Sequence, residues 1–184
     1  VASRGLGDVY KRQVLSGERE PAQLRLFPQD TIDALNLHWH RPRRACVIER
    51  QSQNVILDDG TSLPYDRLLL ATGSRPRLPD PQWAQLEGVV VLRSADDALL
   101  LRQRLHSCRR MAIVGGGWIG LEVAAMARTR SIEVVIYERG THLCGRSIGA
   151  DVAERLASLH REQDITLRLQ CGDLSLTQTI QGVE

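Results

Sequence analysis

The residues with the clearest chemical potential are Gly115-Gly116-Gly117-Trp118-Ile119-Gly120. They fit a G-x-G-x-x-G pattern, and the apolar run Met111 to Val114 precedes them. A glycine turn between a strand and a helix is the context in which this pattern binds a dinucleotide. Gly115 allows the tight turn, Gly117 lets a pyrophosphate approach the backbone, and Gly120 lets helix and strand pack closely. Amides at the start of the helix then face the phosphates, favoured by the helix dipole. Glu138 ends the next apolar run, 18 residues after Gly120. It is placed to accept hydrogen bonds from an adenosine ribose diol, and its charge opposes a 2′-phosphate, so NADH is expected over NADPH. Arg139 beside it works against that preference. The competing reading is a glycine turn with a purely structural role. Glu122 falls in the first helical turn on this reading, where an acidic residue can also simply offset the helix dipole. Trp118 sits at the apex of the turn.

The elements that must position these residues follow from periodicity. Met111 to Val114, Leu121 to Arg128 and Ile132 to Tyr137 read as strand, helix and strand. Ala150 to Gln163 reads as a helix with Val152, Leu156, Leu159 and His160 on one face. Ile165 to Leu169 is a third strand, and the last fifteen residues are polar without a clear period. Upstream, Ala45 to Ile48 and Asn54 to Leu57 are β-rich runs joined by a short polar link, hence a hairpin. Pro28-Gln29-Asp30 can open a short helix through Leu35. Arg67 to Ala71 is a continuous apolar run ending in Thr72-Gly73, the pattern of a buried parallel strand. A connection containing Pro76, Pro79 and Pro81 suits an inter-domain linker. Val89 to Leu92 reads as another strand. Ser94 is placed to cap a helix of about three turns, with Asp96 and Asp97 at its positive end.

Composition narrows the classes. The 184 residues are 42% apolar and 25% charged, which excludes wholesale disorder. No apolar run reaches membrane-spanning length. A net charge of +2 gives no electrostatic footprint for nucleic acid. The chain begins at Val1 and shows neither a signal peptide nor a transit segment. Ser3 to Gln13, SRGLGDVYKRQ, resembles the translated transposase-end adapter of shotgun DNA sequencing, so residues 1–13 are set aside from fold reasoning. They hold Lys11, the only lysine, and the whole net charge; the remainder is neutral and rich in arginine. Cys46, Cys108, Cys144 and Cys171 have no close pairing that suggests zinc or a redox dithiol. His38-Trp39-His40 puts two imidazoles on one face if this stretch is a strand, but a metal site needs further ligands. A reducing cytoplasm is the expected compartment. Arg41-Pro42-Arg43-Arg44 and Arg109-Arg110 read as solvated edges that can also meet an acidic partner.

With VLSGEREP, VILDDGTSLPYDRLLLATGSRPR, LRSADDALLLRQRL and IVGGGWIGLEVAA quoted together, the chain resembles the FAD-dependent ferredoxin reductases of bacterial dioxygenase and cytochrome P450 systems. These belong to the pyridine nucleotide-disulfide oxidoreductase superfamily. The resemblance runs over nearly all of residues 14–169. It implies an α/β fold of two Rossmann-like, three-layer dinucleotide-binding domains, both truncated here. Residues 14–107 would be a remnant of the FAD domain with its linker, and 108–184 the first part of the NAD(H) domain.

It also implies roles. Ala71, Thr72 and Gly73 would pass close to the flavin dinucleotide, Arg93 would contact FAD, and the backbone of Ala45 would meet the adenine. From the residues alone these are a strand end, a surface arginine and a core alanine. Glu122 matches a glutamate near the nicotinamide. The usual lysine partner lies in a Pro-Pro-Leu-Ser-Lys stretch, expected just upstream of Val14, where the adapter-like residues stand. Trp118 matches an aromatic lid over the flavin. The implied reaction is hydride transfer from NADH to flavin N5, then single-electron transfer to a [2Fe–2S] ferredoxin. The family's N-terminal FAD fingerprint strand, later acidic FAD motif, remaining NAD domain and C-terminal interface domain have no counterpart here, which implies that residues 14–184 alone neither hold FAD nor fold stably. Two alternatives stay open. One is a related NADH-dependent flavoprotein, such as a rubredoxin reductase or a coenzyme A–disulfide reductase. The other is a non-catalytic NADH/FAD-binding redox sensor.

Overall fold

The computed structural model describes residues 13–24, 27–179 and 182–183. Of the adapter-like stretch, only Gln13 lies within the described residues. The chain forms two compact units divided within the Pro-rich connection, at Ser74 and Arg75, with residues 13–24 belonging to the second unit.

The first unit carries a short helix, α1 (Gln29–Ala34), and a three-stranded antiparallel sheet. Its strands are β1 (Ala45–Glu49), β2 (Asn54–Leu57) and β3 (Ser62–Pro64), in the order β1-β2-β3. Ile48 pairs with Val55 and Glu49 with Asn54, so the expected hairpin forms with the polar link at its tip. The third strand escapes a periodicity search because it is three residues long and ends in proline. Arg43 closes an ion pair with Asp59 at 2.8 Å. One expectation fails here. Arg67 to Ala71 is not a buried strand: it joins no ladder, and Leu69 and Leu70 are 85% and 66% exposed. A continuous apolar run becomes a strand only where neighbours accept its backbone hydrogen bonds. Among the described residues none does.

The second unit is a parallel sheet with helices packed on it. Helix α2 (Ala95–Arg104) is followed by β4 (Arg110–Val114), α3 (Trp118–Arg128), β5 (Glu133–Tyr137), α4 (Ala150–Arg161) and β6 (Ile165–Arg168). The sheet order is β4-β5-β6, with Ile113 opposite Ile136 and Ile136 opposite Leu167. A two-stranded antiparallel ladder, β7 (Gln178–Thr179) with β8 (Gly182–Val183), follows. The core is continuous. It joins Ile136 and Val134 of the sheet to Leu121 and Ala124 of α3, Ala98 and Leu101 of α2, and Val14, Leu15 and Leu24. Arginines pin the segment from Gln13 to Leu24: Arg130 donates to the Leu15 carbonyl at 3.0 Å, and Arg102 pairs with Glu20.

Three expectations are corrected in this unit. Val89 to Leu92 is half-buried but joins no ladder. Helix α3 starts at Trp118, a turn earlier than Leu121, because extended Gly117 (ψ 174°) serves as its N-cap. Glu122 therefore lies in the second turn of α3, not the first. On α4 the buried face is Ala153 and Ala157, with Leu156 and His160 half-buried, while Val152 and Leu159 are exposed. Small alanines let a helix approach a sheet closely, and this overrides the larger aliphatics nearby.

Ser94 caps α2 as its sequence position suggests. Its side chain accepts from the Asp97 amide at 3.1 Å, and Asp97 reaches back to the Ser94 amide at 2.7 Å. Ser94→Ala is expected to weaken this first turn by about 1 kcal/mol. Hydrogen exchange at the Asp97 amide, roughly fivefold faster in the variant, is the check.

Candidate functional site

The site is built where β4 ends. Gly115 continues the ladder, donating to the Tyr137 carbonyl at 2.8 Å. It then turns the chain at φ 110°, a conformation open to glycine and not to L side chains. Gly120 lies one turn into α3, where an added Cβ would stand 2.4 Å from the Gly115 carbonyl oxygen and 3.1 Å from Ile113 Cγ2. Hydrogen therefore sets the spacing between α3 and β4. At Gly117 the situation is reversed: an added Cβ meets nothing within 4 Å. The start of α3 has no side-chain cap, so its first amides are open for an anion.

Glu138, just past β5, faces this turn. One carboxylate oxygen accepts the Gly116 amide at 2.6 Å, and the other accepts the Gly140 amide at 2.6 Å. Each oxygen keeps a second lone pair for a ligand hydroxyl. Beneath the turn, the loop after β5 brings up Leu143 and Cys144. The Cys144 amide donates to the Gly116 carbonyl at 2.9 Å. Burial pushes the Cys144 thiol up from its ordinary range, and the Glu138 carboxylate adds to this. Neither Leu143 nor Cys144 was legible as part of the site. The available signal was the unexplained central glycine, Gly116.

Trp118, 45% exposed, and half-buried Glu122 lie four residues apart on α3, hence on one face. The second unit thus brings Gly115, Gly117, Gly120, Trp118, Glu122 and Glu138 together around one strand end. Arg93 also lies in this unit, half-buried before α2, with its amide donating to Asp97 at 2.9 Å. Ala45, Ala71, Thr72 and Gly73 belong to the first unit. Ala45 opens β1, and Ala71 to Gly73 form an exposed stretch outside any sheet. The imidazoles of His38 and His40 are exposed, and Arg41 stacks over Trp39 at 4.1 Å. Among the described residues no three His, Cys, Asp or Glu side chains converge on a metal position, and no helix is long and apolar enough to cross a membrane.

The sequence profile of pyridine nucleotide-disulphide oxidoreductases matches residues 10–178. The chain belongs to this family. Among its relatives are rhodocoxin reductase of Rhodococcus erythropolis, 38% identical over 171 residues, and the ferredoxin–NAD(+) reductase component of the anthranilate 1,2-dioxygenase system of Burkholderia cepacia, 38% identical over 168 residues. These alignments cover 90% and 87% of this chain, but 40% and 41% of the relatives. Putidaredoxin reductase in its covalent complex with putidaredoxin superposes with a TM-score of 0.84 at 31% identity, over 94% of this chain and 42% of that one. This member of the family therefore spans about two fifths of the length of the relatives it matches. Its α/β architecture, a parallel sheet in one unit and an antiparallel sheet in the other, agrees with the fold read from the sequence.

Proposed function

We propose that the chain is part of an NADH-dependent, FAD-containing ferredoxin reductase, an enzyme carrying electrons from NADH through FAD to a [2Fe–2S] ferredoxin of an oxygenase system. The observation that carries this reading is the match to ferredoxin–NAD(+) reductases of dioxygenase systems over nearly nine tenths of the chain. The open space at Gly117 and the paired Glu138 carboxylate support the nucleotide half of it. In this reading residues 14–107 belong to the FAD domain and its linker, 108–184 begin the NAD(H) domain, and residues 1–13 are foreign to both.

Each residue has a definable task. Gly117 and the first amides of α3 hold the pyrophosphate of NADH, with no side chain in the way. Glu138 orients the adenosine ribose through its free lone pairs and repels a 2′-phosphate. Trp118 offers an exposed aromatic face that shields the ring site from water. Glu122, on the same face of α3, orients the nicotinamide. Ala45, Ala71, Thr72, Gly73 and Arg93 hold FAD; the first four are small or short and exposed, which leaves their backbone open to a dinucleotide. When bound, FAD supplies the exchange between two-electron hydride chemistry and one-electron transfer.

The test uses the full reading frame that contains this chain. Its product is expected to reduce cytochrome c rapidly with NADH only when a [2Fe–2S] ferredoxin is added. The present chain by itself is expected to purify without flavin absorbance. A full-length product with no ferredoxin-dependent reduction would overturn the proposal.

A further inference from the structure

We infer that Cys144 is a positioning residue for the dinucleotide, acting through the Gly116–Gly117 peptide, and that Leu143 beside it leaves room there for glycine alone. The inference rests on the proposed NADH site. Gly116 is buried and held at both ends. Its N–H donates to Glu138 Oε2. Its C=O accepts the Cys144 amide at 2.9 Å and the Cys144 thiol at 3.6 Å. The peptide joining Gly116 to Gly117 is trans, since the one cis bond among the described residues is Arg41–Pro42. In a planar trans peptide the C=O and the following N–H point in opposite directions. Drawing the Gly116 carbonyl down onto Cys144 therefore turns the N–H of exposed Gly117 away from the Cys144 loop. Without that anchor, a glycine-glycine peptide has little to keep it from flipping and presenting a carbonyl oxygen to the phosphates.

Leu143 sets how little space residue 116 has. A Cβ at residue 116 would lie 2.7 Å from Leu143 Cδ2 and 3.1 Å from Glu138 Oε2. Leu143 is fully buried, so it cannot retreat into solvent. Cys144 itself adopts φ 51°, in the left-handed region. A non-glycine residue persists there when its surroundings over-determine it, as two contacts to one carbonyl do here.

The experiment is NAD+ binding by calorimetry to the full-length protein, with flavin absorbance and the melting temperature as controls. Gly116→Ala is expected to raise the NAD+ Kd at least tenfold with the flavin retained. The double variant Gly116→Ala/Leu143→Ala is expected to recover at least threefold of that loss, because it removes the clashing methyl. Unchanged Kd in the single variant, or no recovery in the double, overturns the inference. Hydrogen exchange on the unaltered protein gives an arm independent of variant folding. The Cys144 amide is expected to be protected with or without NAD+, and the Gly117 amide protected only with it. A Gly117 amide already protected without NAD+ overturns the inference. Failure of the unaltered protein to bind NAD+ at all would instead overturn the nucleotide site on which it depends.

Discussion

Gly120→Ala is expected to destroy dinucleotide binding and to destabilise the parallel-sheet unit. The added methyl carbon would sit 2.4 Å from the Gly115 carbonyl oxygen. That atom is backbone, fixed by the left-handed turn at Gly115 on one side and by the β4–β5 ladder on the other. A flexible side chain could swing away; this oxygen can move only if α3 lifts from β4 or the turn opens. Ile113 Cγ2 at 3.1 Å closes the alternative of sliding along the strand. Overpacking of this kind costs about 3 kcal/mol, and if the strain appears at the turn it is equivalent to roughly a 150-fold loss in affinity. Calorimetry with NAD+ and a thermal melt separate the two effects. Gly117→Ala provides the contrast. Its methyl meets no protein atom, so it should leave the melt unchanged and lower only nucleotide affinity.

This contrast explains how much of the molecule can be read from its sequence. The glycine turn, the Ser94 cap and the β1–β2 hairpin are local: residues within a few positions decide them, and the sequence shows those residues side by side. Helix α3 is local too, except for its start, which depends on Gly117 adopting an extended N-cap conformation. Leu68 to Leu70 shows the opposite case. Its apolarity is plain in the sequence, but strand formation depends on partners far along the chain, and none of the described residues supplies one. The burial of Ala153 and Ala157 in place of Val152 and Leu159 likewise depends on how closely α4 meets its sheet. Leu143 and Cys144 reach Gly116 from 27 and 28 positions away, and no spacing rule links a glycine motif to the loop that supports it. What the motif shows is a turn shaped for a dinucleotide; the support beneath it is visible only in three dimensions.

Glu138 joins the local motif to that longer-range support, and its two functions can be separated experimentally. The carboxylate braces the turn through Gly116 and Gly140, and in the proposed site it also sets a negative charge beside the ribose. Glu138→Ala removes both functions. The Gly116 amide is buried and would be left unpaired, at about 1–3 kcal/mol, whereas the exposed Gly140 amide can turn to water. Glu138→Gln removes the charge and the acceptor that faces Gly140. Its carbonyl oxygen can still accept the Gly116 amide, while its NH2 group takes the place of the Gly140 acceptor and the exposed Gly140 amide turns to water instead. The expected result is a split. Both variants should lose about tenfold in the preference for NADH over NADPH, the equivalent of roughly 1.4 kcal/mol, because neither repels a 2′-phosphate. Only Glu138→Ala should also show a lowered melting temperature and weaker binding of both nucleotides. Equal melting temperatures for the two variants would mean that the Gly116 amide does not depend on residue 138. An unchanged nucleotide preference in Glu138→Gln would mean that the charge plays no part in the choice, leaving the exposed Arg139 next to it as the side chain to replace first.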